Sequence, residues 1–172
     1  EPGVSASAFG AGASRPIIRG MEGPRVKILQ NGMSMLDAST LSNDHAVAGE
    51  GATARQIEIL RGPASLLYGS GAIGGVVNIV NDRIPTTLVG KPTGEAEVRY
   101  SSVDSGRQVS GTVEGSTGNI GLHLDGNFRD ANDYRIPGNV DLNDPSSGSG
   151  RLPNSFTRAN SLGFGGAYIQ SW

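Results

Sequence analysis

Between residues 120 and 129 the chain alternates. Ile120, Leu122, Leu124 and Phe128 fall on one side of a two-residue repeat, and His123, Asp125, Asn127 and Arg129 fall on the other. Successive side chains point to opposite faces in a β-strand, so this stretch commits the region to a sheet with one apolar and one polar face. Two upstream segments repeat the pattern. Glu95, Glu97 and Arg99 alternate with Ala96, Val98 and Tyr100. After a turn at residues 104–106, Val109 and Val113 oppose Ser110, Thr112 and Glu114, and residues 115–119 read as the short turn into the clearest strand. This alternation fits either an antiparallel sheet lying on a soluble core or the wall of a membrane barrel with lipid outside and water within.

Composition narrows the choice. Twenty-seven glycines, nine prolines, 36% hydrophobic and 5% aromatic residues in 172 positions supply few large side chains for a compact water-soluble core, and favour sheet and turns over packed helices. No stretch approaches the roughly 18 uninterrupted apolar residues of a membrane-spanning helix. Membrane-spanning strands need only about 9–11 alternating residues. A mean hydropathy of -0.23 permits them. The polar insert at 130–160, rich in Asn, Asp, Gly, Ser and Pro, reads as a long surface loop opposite the short turns, an asymmetry that favours the barrel. Its acidic residues Asp130, Asp133, Asp141 and Asp144 read as solvating groups. A fourth strand is expected from about Ser161 to Trp172, with its faces blurred by Gly163, Gly165 and Gly166. The net charge of -2, with both signs mixed, offers no basic footprint for nucleic acid. Without cysteine, any metal must be held by nitrogen or oxygen ligands.

The chain changes character at residues 83–92, where two prolines and a glycine separate unlike halves. Before that point, short apolar runs alternate with glycine-rich turns, which suggests a small mixed α/β unit with a helical turn near residues 63–68. Within it, Gly69, Gly71 and Gly74 match the G-x-G-x-x-G spacing of a dinucleotide turn. That turn must open a helix, whereas Val76 to Val80 are strand formers. The glycines are better read as permitting tight backbone turns.

The run QIEILRGPASLLYGSGAIGGVVNIV at 56–80 resembles the plug signature of TonB-dependent outer-membrane receptors, in which an "IEVLRGP" strand precedes "YG" and a "GGVVN" strand. RPIIRGMEGPRVKILQNG at 15–32 resembles the family's upstream "IRG" strand and hairpin. The resemblance implies an α+β plug fragment over 1–85, a linker at 86–92, and over 93–172 the first about four antiparallel strands of an incomplete transmembrane β-barrel that runs to about 22 strands, with an extracellular loop near 130–160. It further implies a transporter of the bacterial outer membrane rather than an enzyme, embedded in lipid together with the rest of its barrel. Energy would come from the TonB-ExbB-ExbD complex, engaged through an amino-terminal segment preceding Glu1.

Arg19 and Arg61 occupy the positions of the two "RG" arginines, which in the family pair with barrel carboxylates and anchor the plug. Guanidinium suits that task because it binds carboxylates through paired hydrogen bonds and stays charged. The alternative is that both simply cap local turns. NGMSMLDASTLSNDHAV at 31–47 is similar to the zinc-receptor branch, where an "SPDHAV"-like loop supplies an aspartate and a histidine to zinc. Asp44 and His45 match those two ligands, although Asn43 replaces the usual proline and residues 49–52 depart from the usual "DPL" continuation. Zinc is therefore expected as transported cargo, not as a cofactor. An exposed Asp-His turn is the plainer alternative, and siderophore, haem or cobalamin is the alternative cargo. His123 is expected to be a polar residue of the lumen. A soluble β-rich binding or adhesion module would also account for the alternation, though not for the two ordered plug motifs.

Overall fold

The computed structural model describes residues 1–7, 12, 14–35, 51 and 53–170. The chain divides into two compact units between Asp82 and Arg83.

The first unit is built on a mixed sheet. Its strands are β3 (Val26–Gln30), β4 (Met33–Ser34), β5 (Gln56–Arg61) and β6 (Gly75–Val80), in the order β4-β3-β6-β5. β3 runs parallel to β6, while β5 is antiparallel to it, with Ile59 opposite Val77. A separate ribbon pairs β1 (Val4–Ala6) with β2 (Pro16–Ile18). Period-two geometry sends Val76 and Val77 to opposite faces of the central strand, and each face finds a small core. Val76 packs with Leu29, Ala64, Ala72 and Tyr68, on the side of the single helical turn α1 (Ser65–Tyr68). Val77 packs with Ile18, Val26, Met21 and Ile59. The inner strands β3 and β6 therefore bury apolar groups, whereas the edge strand β5 leaves Ile57 and Leu60 exposed.

The second unit is a four-stranded antiparallel sheet of β7 (Thr93–Ser101), β8 (Gly106–Thr117), β9 (Ile120–Ala131) and β12 (Thr157–Tyr168), in the order β12-β9-β8-β7. Here the distribution is inverted. Val98, Val109 and Phe128 form one cross-strand row of exposed apolar side chains, and Val113, Leu124 and Phe164 form another. Leu124 is 47% exposed, whereas its neighbour Asp125 is 2% exposed. Ser110, His123, Asp125 and Asn127 are the buried face.

Two details differ from the sequence-based expectation. The turn between β8 and β9 is confined to residues 118–119, because Gly115, Ser116 and Thr117 continue the ladder opposite Leu122, Gly121 and Ile120. The polar insert at 130–160 is not one loop, since β10 (Arg135–Asp141) and β11 (Asp144–Arg151) form an antiparallel hairpin with shifts in register. β10 carries Ile136 and Val140, but β11 has no β-branched residue, and short polar side chains supply the closure instead. The backbone N–H of Asp141 donates to Ser147 Oγ at 2.9 Å, and that of Ser146 donates to Asp144 Oδ1 at 2.9 Å. The acidic residues are thus structural. Asp133 accepts from the backbone N–H groups of Ser155 and Phe156, both at 3.0 Å, and Asp130 pairs with Arg158. The Ser146 hydroxyl and N–H hold the Asp144 carboxyl below its ordinary pKa.

Candidate functional site

The polar face of the second unit concentrates its charge in two successive rows. In one, Thr112, Asp125 and Gly163 lie side by side; in the next, Glu114, His123 and Gly165 do the same. Arg83 enters this surface from the segment preceding β7. Its Nε donates to Asp125 Oδ1 at 3.0 Å and its Nη2 to Asp125 Oδ2 at 2.8 Å, the forked geometry that makes guanidinium–carboxylate pairs strong and directional. His123 is almost fully buried between two carboxylates. Its Nδ1 lies 3.3 Å from Glu114 Oε1 and its Nε2 lies 3.3 Å from Asp125 Oδ1. The second approach is an electrostatic contact only, because Nε2 makes no hydrogen bond.

This arrangement positions rather than reacts. The two ring nitrogens of His123 face different carboxylates, so Glu114, His123 and Asp125 do not converge on one point. Among the described residues no three His, Asp or Glu side chains are placed to hold a metal ion. His123 lies on the buried polar face, as its place in the alternation requires. Arg83, Asp125 and Glu114 were not singled out from the sequence. The available signal was the pair Gly163 and Gly165, since small residues on one face of a strand mark a site where another backbone comes close.

In the first unit Arg19 and Arg61 meet the same short segment. Arg19 has a left-handed backbone (φ 50°), and its N–H donates to the Gly3 carbonyl at 2.8 Å. Arg61 Nη1 donates to the Pro2 carbonyl at 2.9 Å, and its Nη2 lies 3.5 Å from Glu1 Oε1. Both side chains are exposed. Asp44 and His45 lie outside the described residues. The glycine-rich motif leads into β6, the strand flanked by β3 and β5, not into a helix. A Cβ on Gly74 would stand 2.8 Å from Met21 Cβ, and one on Gly75, where φ is +150°, would stand 2.9 Å from Ile18 Cδ1. These glycines serve close packing and leave no place for a pyrophosphate at a helix terminus.

The family model described as TonB-dependent Receptor Plug Domain matches residues 1–76, which take in β3, β5 and the start of β6 in the first unit. The first unit is a TonB-dependent receptor plug domain. The sequence is 39% identical over 84 residues to the probable TonB-dependent siderophore receptor PirA of Acinetobacter baumannii, a match covering 48% of this chain and 10% of that protein. A longer match, 34% identical over 122 residues, joins 70% of the chain to 19% of the vitamin B12 transporter BtuB of Photobacterium profundum. The FrpB iron transporter of Neisseria meningitidis (F3-3 variant) superimposes with a TM-score of 0.69 at 18% identity, over 94% of this chain and 24% of that one. That likeness establishes the fold, a plug followed by strands of a barrel wall. The chain spans between 10% and 19% of the length of these two curated relatives.

Proposed function

We propose that this chain is the plug and first wall strands of a TonB-dependent transporter in the bacterial outer membrane, importing a metal as its cargo. The observation that supports this most is the inverted sheet. A soluble binding module would bury Leu124, Phe128 and Phe164 and expose Asp125, whereas a barrel wall does the reverse. In this reading the polar face lines the lumen, and the TonB-ExbB-ExbD complex drives rearrangement of the plug. Arg19 and Arg61 anchor the plug to carboxylates elsewhere in the barrel, exchanging the contacts they make with residues 1–3 for pairs across the lumen.

Zinc is the proposed cargo, on the strength of the Asp44-His45 pair alone. Imidazole and carboxylate together suit that ion, and further ligands would come from barrel loops. A metal chelate is the second reading, favoured by the 39% identity over 84 residues to a probable siderophore receptor. Calorimetry on the full-length receptor in detergent separates them. Zinc binding that weakens at least about tenfold in Asp44→Ala and His45→Ala supports the first reading, since each removes one ligand of the set. Unchanged zinc affinity, with tight binding of a ferric siderophore, replaces it with the second.

A further inference from the structure

The segment that follows β6 is seated on the polar face of the wall at three points. Arg83 forks onto Asp125. Pro85 lies over Gly121, where an added Cβ would come 2.9 Å from the proline Cβ. The N–H of Val89 donates to Ser116 Oγ at 2.9 Å. In register, these contacts fall on successive rows of one face, from Asp125 and Gly163, through His123 and Gly165, to Ser116 and Gly121.

The wall is shaped for this segment. A Cβ on Gly165 would collide with the carbonyl oxygen of Arg83, and one on Gly163 would overlap both the Arg83 guanidinium and the Asp125 carboxylate. Gly126, in the same β9–β12 pairing but on the other face, would meet nothing closer than 3.6 Å. Gly115 has open space. Gly121, Gly163 and Gly165 are therefore crowded by the segment itself, whereas Gly94 is crowded only by its partner strand β8, and Gly126 and Gly115, on the opposite face, are unconstrained.

We propose that residues 83–89 form a strap locked into a glycine slot, with the Arg83–Asp125 pair as its lock, so that the chain leaving the plug stays fixed while the plug is displaced. The proposal rests on the transporter reading. A pull applied to the plug ends at Asp82, because freeing Arg83 means separating it from a buried carboxylate that has His123 and Glu114 behind it. Without the lock the load would pass to Thr93, the first residue of β7, and draw on its pairing with β8.

The test is hydrogen exchange by mass spectrometry on the full-length receptor in detergent. Arg83→Gln and Gly165→Ala should each speed exchange of peptides covering 84–90 at least about tenfold, with β8 and β9 protected as in the parent. Gly126→Ala should leave those peptides unchanged. The exchanged pair Arg83→Asp with Asp125→Arg should recover part of the protection. Parental exchange at 84–90 in both Arg83→Gln and Gly165→Ala overturns the strap. If Gly165→Ala does not assemble, Arg83→Gln alone decides. Uptake by cells gives a second readout: Arg83→Gln should slow transport with cargo affinity unchanged, and lost affinity at normal turnover overturns the proposal. Neither exchange result depends on cargo or membrane insertion, so failure of the strap is distinct from failure of the transporter reading.

Discussion

The two units apply one rule of strand geometry to opposite surroundings. In the plug, Leu29 and Val76 are buried against each other, and the exposed strand positions include Gln56 and Glu58. In the wall, Leu122, Leu124 and Phe128 are exposed, while His123, Asp125 and Asn127 are buried. Alternation alone is therefore silent about which face meets the solvent. What distinguishes the units is where partners exist. The plug sheet carries apolar cover on both faces, and the wall carries a complementary strap of charge on its polar face alone.

The sharpest way to break this comparison is to empty the plug core. Leu29→Ala should cost about 2–5 kcal/mol, read as loss of exchange protection in β3 and β6, because the closely packed neighbours cannot fully close the cavity. Next comes the wall. Leu124→Arg should destabilise the receptor by ~2–4 kcal/mol in lipid vesicles if the position lies near the bilayer midplane. A change within about 0.5 kcal/mol, as for ordinary surface positions, would mean that this face meets water and that the two units share one environment. Gly75→Ala sharpens the plug side. Its positive φ and its approach to Ile18 predict a cost of about 1–3 kcal/mol, measured by thermal unfolding, with no effect on nucleotide binding because none is expected.

The smallest effect concerns pH. Asp104 is buried in the turn between β7 and β8, and burial pushes its carboxyl upward. Hydrogen bonds from Ser101 and the Gly106 N–H, with the charge of Arg129, outweigh that push and hold it below the ordinary value. A depressed folded-state pKa stabilises fully above the unfolded value of about 3.9 and loses that contribution as pH falls through the folded one. Exchange in this turn should therefore quicken only in acid. Asp104→Asn should remove the dependence while keeping most of the turn.

Much of this was legible in the chain. The faces of β8 and β9 followed from period two, and the plug strands followed from ordered motifs. The β10–β11 hairpin did not, because DPSSGSGR has no strand-forming residues and is held by side-chain hydrogen bonds that spacing does not encode. The ambiguity at Gly163 and Gly165 had a similar origin. Their partner, Arg83, lies far away in sequence, so the glycines looked like dilution when they were clearance. Glu114 and Asp125 became a site only once cross-strand register placed them beside His123 and the strap.

The hairpin has a consequence for how such a receptor can change. Its tip is closed by Asp141, Asp144, Ser146 and Ser147, and its base by Asp133, Tyr134, Leu152 and Ser155. A unit tied off at its own base can be lengthened, shortened or recoloured with charge without altering the register of β9 against β12. The hairpin is then the part of this unit whose redesign costs the wall least.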